Sequence, residues 1–487
     1  MVRGDRRRLF IAVAVLVLLG LGLAIRCEAP SGAGGLLPPP AVPQVAGLVP
    51  AVYDLDVSLD PAGGTLRGES RVEYTNNEQV PLGELYFHLY PNAAAFARDV
   101  ARPGRLTVHG VRLGEHPARW EARATQLKVA LPQPLAPGEK AELTLTWELT
   151  VPAYPGRLGE NDGIISLGNW YPILAVYDAA GWHLDPYYER GDPFYSEVAR
   201  YKVRLALPDA YQAAATGNLR AVRNLPGPTK ELTWESGLVR DFALAISSDY
   251  QALRTRAGEV LVQSYFPKEE RDGGRRVLAA GRDALEFFSC IFGSYPYDQF
   301  TLAATGFYQG GMEYPNIVFL ARQFYGPADA DVLEYVAVHE TAHQWWYGVV
   351  GNNQVEEAWL DEGLAEFSTL LFFEKVRGRT AAGTQSLLSL YAAYRQAEGD
   401  GVVLQRLDAF PSDLAYNALV YGKGCLLFIK LREEVGEETL LKILRTYYQR
   451  FAYRTATSRD FIRVAEEVSG RDLSAFFHRW LESAGEK

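Results

Sequence analysis

The sequence predicts a multidomain α+β protein, with an N-terminal, mostly antiparallel β domain followed by a mostly helical second domain. Three observations carry this. Between residues 51 and 250 apolar and polar residues alternate at period two, as in Leu143, Leu145, Trp147 and Leu149, and in Tyr201, Val203, Leu205 and Leu207. Turn signals such as Pro61-Ala62-Gly63-Gly64 and Ala136-Pro137-Gly138 separate these runs. Beyond residue 253 helix-length apolar patterns take over, and one of them holds His339-Glu340-Thr341-Ala342-His343.

The bulk properties fit this reading. A chain of 487 residues is long enough for two or three full cores. Hydrophobic content of 48% and charged content of 22% describe an ordered globular protein. A net charge of −10 argues against a nucleic-acid partner and against a basic membrane-hugging face. Three cysteines supply neither a disulfide framework nor a cysteine metal site. Cys290 and Cys425 lie among apolar residues and are expected to pack as small buried thiols.

Taken in order, residues 1–8 form a basic tail with Arg3, Arg6, Arg7 and Arg8, and an apolar run follows over 9–25. The run is at the short end for a membrane span. Basic residues before it and a globular chain after it predict a single-pass anchor to the cell membrane, with the bulk outside the cytoplasm. A cleaved signal peptide, giving a secreted protein, is the alternative. The anchor is favoured because Arg26 and Cys27 interrupt any small-x-small cleavage site. Residues 26–50, rich in proline and glycine, form a linker that acts as an extended tether. The β domain then spans 51–252. It includes an aromatic-rich insert over 169–195, of a kind that packs against a neighbouring domain more often than it binds ligand. The second domain spans 253–487. Its expected elements are a helix at 275–292, a strand at 300–305, and a helix from Asp329 or Asp331 that Gly348 stops. Further helices are expected near 359–378, 384–395, 423–434, 438–450 and 458–468.

Histidines four apart on a helix share one face, about one turn apart, so His339 and His343 can reach one ion. Glu340 projects beside that pair, where it touches water rather than the ion. After eighteen intervening residues, Glu362 opens the next helix and supplies a third ligand. Two histidines and one carboxylate leave a fourth position open, the pattern of a catalytic zinc rather than a structural one. Glu366, one turn beyond Glu362, is placed to hydrogen-bond a ligand histidine and fix its tautomer. One Zn2+ per chain is therefore expected.

These residues resemble the gluzincin zinc aminopeptidases, the family of aminopeptidase N and leukotriene hydrolase. Gly310-Gly311-Met312-Glu313-Tyr314 is similar to that family's G-x-M-E-N motif, with Tyr314 in place of asparagine. Tyr421-Gly422-Lys423-Gly424 is similar to its Y-x-K-G segment, and the run from Ser474 to Leu481 to its domain end. The resemblance implies a saddle-like β domain and a thermolysin-like catalytic domain. It implies substrate contacts from Gly310, Gly311, Met312 and Glu313, with Glu313 on the free amine. It also implies Tyr421 as the catalytic tyrosine; Tyr416, five residues earlier, is the rival. Relatives add a second polar side chain from the β domain to the amine, and Glu160, Asp162 and Asn169 are the nearby possibilities. The function implied is a membrane-anchored zinc metalloaminopeptidase acting on peptides with a free N-terminus, with Glu340 as general base. The alternatives are a zinc endopeptidase on the same site and a non-catalytic binding scaffold. Intact His339, Glu340, His343, Glu362 and Tyr421 argue against the scaffold, which needs no general base.

Overall fold

A computed structural model describes residues 49–484. The basic tail, the apolar run and nearly all of the linker expected over 26–50 lie outside the described residues.

Alternation at period two produces the expected sheets because one face of each strand is buried and the other is wet. In strand Lys140–Thr150, Leu143, Leu145, Trp147 and Leu149 are all buried. That strand belongs to an eight-stranded sheet that also contains Ala51–Asp60, Thr65–Thr75 and Ala199–Pro208. Its pairs are antiparallel except one: Ala51–Asp60 runs parallel to Ala199–Pro208, with Tyr53 opposite Tyr201. Two four-stranded sheets and a two-stranded one, Tyr177–Asp178 with Gly181–Trp182, complete the β-rich half. The aromatic insert packs inward, with Trp170, Tyr171 and Phe194 buried.

A five-stranded sheet opens the second half. Its order is Tyr250–Ala257, Val260–Pro267, Gln299–Thr305, Ile317–Ala321 and the two-residue edge strand Gly311–Met312. Helix α1 (Arg271–Ile291) covers it, burying Val277, Ala284, Leu285 and Phe288 at helical spacing. Helix α2 (Ala330–Ala342) follows the last strand and carries His339 and Glu340. A short helix, α3 (Gln354–Glu357), is capped by the Asn353 side chain. It leads into α4 (Trp359–Phe372), in which every residue is buried. Helix α5 (Ala382–Glu398) and the remaining helices enclose α4. Glycine permits the closest of these approaches. A Cβ on Gly363 of α4 would lie 3.3 Å from the backbone of Gly424, so the segment bearing Tyr421 sits directly against the one bearing Glu362.

The two halves are joined by polar contacts, some of them buried. Arg240, 2% exposed, donates to the carbonyls of Ser196, Tyr347 and Arg454, 2.7–2.9 Å away. Arg190 of the insert reaches Asp413 at 2.8 Å and the Phe410 carbonyl at 2.6 Å.

The cysteine expectation needs correction. Cys425 is a buried free thiol, as expected, but Cys290 is disulfide-bonded. Cys290 is itself only half-buried, near the end of α1, so its apolar neighbours in sequence overstate its burial.

Candidate active site

Three elements converge on one cleft of about 640 Å³. The first is α2. His339 and His343 stand one turn apart, and their Nε2 atoms lie 3.1 Å from each other. The second is α4, which brings Glu362 Oε2 to 3.3 Å from each of those nitrogens. Three donors held by an ion at about 2.0 Å in tetrahedral geometry stand about 3.3 Å apart. The observed triangle therefore matches a zinc face.

The outer hydrogen bonds fit the same ion. His343 Nδ1 faces the Trp346 carbonyl at 3.0 Å, so Nδ1 donates and Nε2 keeps its lone pair. His339 Nδ1 lies 3.1 Å from Glu366 Oε1, a charge contact without hydrogen-bond alignment. Tyr335, one turn before His339, donates to both oxygens of Glu366 at 2.5 and 2.7 Å. Two imidazole lone pairs and a carboxylate pointed at one spot repel one another unless a cation sits between them. Burial opposes charge on His343, yet the carboxylates of Glu313 and Glu362 push its pKa up to about 10, so the pocket draws positive charge. Burial likewise opposes ionisation of Glu362, but His343 and His339 hold it well below the usual carboxylate range.

The third element is the edge strand. Gly310 adopts φ +119°, a conformation that favours glycine, and Gly311 makes room for the neighbouring helix. A Cβ on Gly311 would lie 2.2 Å from Glu340 Oε1. Gly311 thus serves Glu340 directly, an effect that its position in the sequence did not disclose. Met312, buried, pairs with Phe319. Glu313 is 3% exposed, and an oxygen of it lies within 4.8 Å of a His343 ring nitrogen. Tyr314, the departure from the family motif, is buried and donates its hydroxyl to Asn169 Oδ1 at 3.2 Å.

Tyr421 sits in a π-helical turn, Asn417–Lys423, of a kind that recurs at functional sites. Its hydroxyl donates to Glu362 Oε1 at 2.6 Å. Tyr416 is edge-on to it, with ring centroids 5.9 Å apart, and its buried hydroxyl has no hydrogen-bond partner. Both line the cleft.

None of Glu160, Asp162 and Asn169 lines this cleft. Glu160 is paired with Arg102, Asp162 is exposed, and Asn169 is buried against Asp241. The β-rich half contributes Asp192 instead, at the end of the aromatic insert and 2.6 Å from Arg157. Arg157 stacks on Phe194, 5.0 Å from the ring centroid. Sequence reading missed Asp192, Arg157, Tyr335, Gln354 and Asp361. Only Tyr335 carried a signal, being four residues before His339 on the same helical face.

The three converging elements form a buried site suited to one zinc ion. Residues 278–480 match the Peptidase family M1 domain. The chain is similar to Aminopeptidase M1-C of Oryza sativa subsp. japonica, 27% identical over 307 residues, covering 59% of this chain and 34% of the relative. It is also similar to Aminopeptidase N of Lactococcus lactis subsp. lactis, 28% identical over 215 residues, covering 41% and 25%. The chain therefore spans a third or less of the length of these curated relatives. The M1 zinc metallopeptidase from Deinococcus radiodurans shares the whole architecture. Its TM-score is 0.65 at 20% identity, covering 91% of this chain and 95% of that one. The fold is thus the two-domain M1 fold, and zinc is the metal it implies.

Proposed function

We propose that this chain is a zinc metalloaminopeptidase that hydrolyses the N-terminal peptide bond of peptides with a free amino terminus. The observation that carries this is one cleft holding the His339–His343–Glu362 donor triangle with Glu340 and Glu313 at its walls. The names of the relatives support it, as does the Deinococcus radiodurans enzyme's capture, in a variant, with a Tyr-Ser-Ala substrate.

His339, His343 and Glu362 would hold one zinc, which when bound polarises the scissile carbonyl and acidifies water. Glu340 takes the proton of the attacking water and passes it to the leaving amine. Burial raises its affinity for that proton. Glu313 pairs with the substrate's α-ammonium by a charge-assisted hydrogen bond. Gly310 and Gly311 let an extended substrate approach the edge strand. Tyr421 donates its hydroxyl to the oxyanion of the tetrahedral intermediate. In a panel of aminoacyl amides, hydrolysis should require a free amine and stop with a chelator. Equal cleavage of N-acetylated amides would instead mark an endopeptidase.

Tyr421→Phe removes a group that acts on the transition state more than on bound substrate. It should lower kcat by about 100-fold, with a modest change in KM and full zinc content. A near-normal kcat beside a crippled Tyr416→Phe would move the role to Tyr416.

We further place the folded body, from the linker at 26–50 through the β domain at 51–252 and the catalytic domain at 253–487, outside the cytoplasmic membrane. The apolar run at 9–25 would anchor it, with secretion after cleavage as the alternative. A disulfide at Cys290 suits an oxidising compartment. Protease added to intact spheroplasts should digest the chain. Protection until lysis would reverse the orientation.

A further inference from the structure

We propose that Gln354 is a positioning residue that holds Glu313 in register with the helix bearing Glu362. This rests on the reading of Glu313 as the amine-binding carboxylate and assigns what keeps it in place.

Gln354 opens α3 and is 2% exposed. Its Nε2 donates to two carboxylates, Asp361 Oδ2 at 2.6 Å and Glu313 Oε1 at 3.2 Å. Among the described residues it is the one side chain shown donating to Glu313. Asp361 is fixed in turn, its Oδ1 accepting from Asn352 Nδ2 at 3.2 Å and from the Glu362 backbone N–H at 3.0 Å. A single amide thus ties the loop that ends the edge strand to the residue adjoining metal ligand Glu362.

The orientation of that amide is forced. Turning it over would aim a carbonyl oxygen at two carboxylates. The price of the correct orientation is visible: Gln354 Oε1 is buried with no hydrogen-bond partner. Buried orphan acceptors are rare and call for a reason. Here the reason is that the opposite face of the amide satisfies two anions with one NH2 group. With Oε1 of Glu313 engaged, its other oxygen is left for the incoming ammonium.

Gln354→Met keeps length and bulk but removes the donor. On a free-amine aminoacyl amide it should raise KM by about 10-fold, as misplacing one charge-assisted contact does, with kcat within about 3-fold. Zinc content should be unchanged, as should the slow rate on the N-acetylated analogue. In a Glu313→Ala background the same substitution should add no further rise in KM. An equal rise with and without Glu313, or a loss of kcat or zinc, would overturn the inference, because Gln354 would then act through Asp361 or the fold. Gln354→Asn keeps an amide in the buried site but is too short to span both carboxylates. It should show the same KM-selective defect, and serves if Gln354→Met does not fold. A wild-type KM in whichever of the two folds also overturns the inference. If Glu313→Ala itself leaves the preference for free amines intact, the amine-binding reading fails rather than this one.

Discussion

Glu340→Gln should bind zinc normally and lose turnover by about a thousand-fold, within the range that general acid–base groups contribute. The amide preserves shape, so it still fits the space that Gly311 leaves for the side chain at position 340. It cannot accept the proton of the attacking water. The ligand triangle does not involve residue 340, so metal content should stay near one per chain. Single-turnover rates on an aminoacyl amide, with metal analysis of the same sample, check this. Wild-type-like turnover in a zinc-replete variant would sink the general-base assignment.

Glu313→Ala should lower kcat/KM on free-amine substrates by about 100-fold and narrow the gap to N-acetylated ones, since it removes a buried charge-assisted contact. Glu313 works in two ways. It attracts the substrate's ammonium into a pocket already rich in carboxylates, with His343 and Asp361 within 4.8 Å. It also penalises a chain that continues past the first residue, because such a chain would bury the carboxylate without a countercharge. Leaving a carboxylate desolvated and unpaired costs several kcal/mol. Discrimination thus comes from attraction of one substrate and rejection of another. Paired assays on an amide and its N-acetyl form read the ratio directly. An unchanged ratio would make Glu313 a structural carboxylate and remove the main support for exopeptidase action.

The two variants also separate the parts of the site. Glu340→Gln should leave substrate binding intact and abolish chemistry. Glu313→Ala should leave chemistry possible on any chain that reaches the cleft, at the cost of selecting none. If both behaved alike, zinc or fold would be at fault, and metal content would show which.

Much of this was legible because local periodicity reports local structure. Spacing of four on a helix put His339 and His343 on one face whatever the rest of the chain did. Alternation at period two located strand Lys140–Thr150 and its buried face. The helix of Glu362 was expected near 359–378; it runs Trp359–Phe372 and continues through a π-helical turn, Phe373–Arg377, to left-handed Gly378. Helical spacing also put Glu366 near a ligand histidine, and its carboxylate lies 3.1 Å from His339 Nδ1.

Contacts between segments distant in the chain were different. Asp192 was read as part of a packing insert, yet folding carries it beside the metal-binding helices, where Arg157 meets it. Glu160, Asp162 and Asn169 were nearer the right stretch by composition but point elsewhere, since the route of a loop over a domain follows from tertiary packing and not from residue type. Gln354, polar and unremarkable in sequence, becomes the link between two carboxylates only when α3 packs against the Glu313 loop. By itself, then, the sequence determined which residues could bind a metal and take a proton, because those depend on residue type and helical pitch. The tertiary structure alone decided what surrounds them, since burial, countercharges and a shared amide donor arise from separate elements of the chain meeting in one cleft.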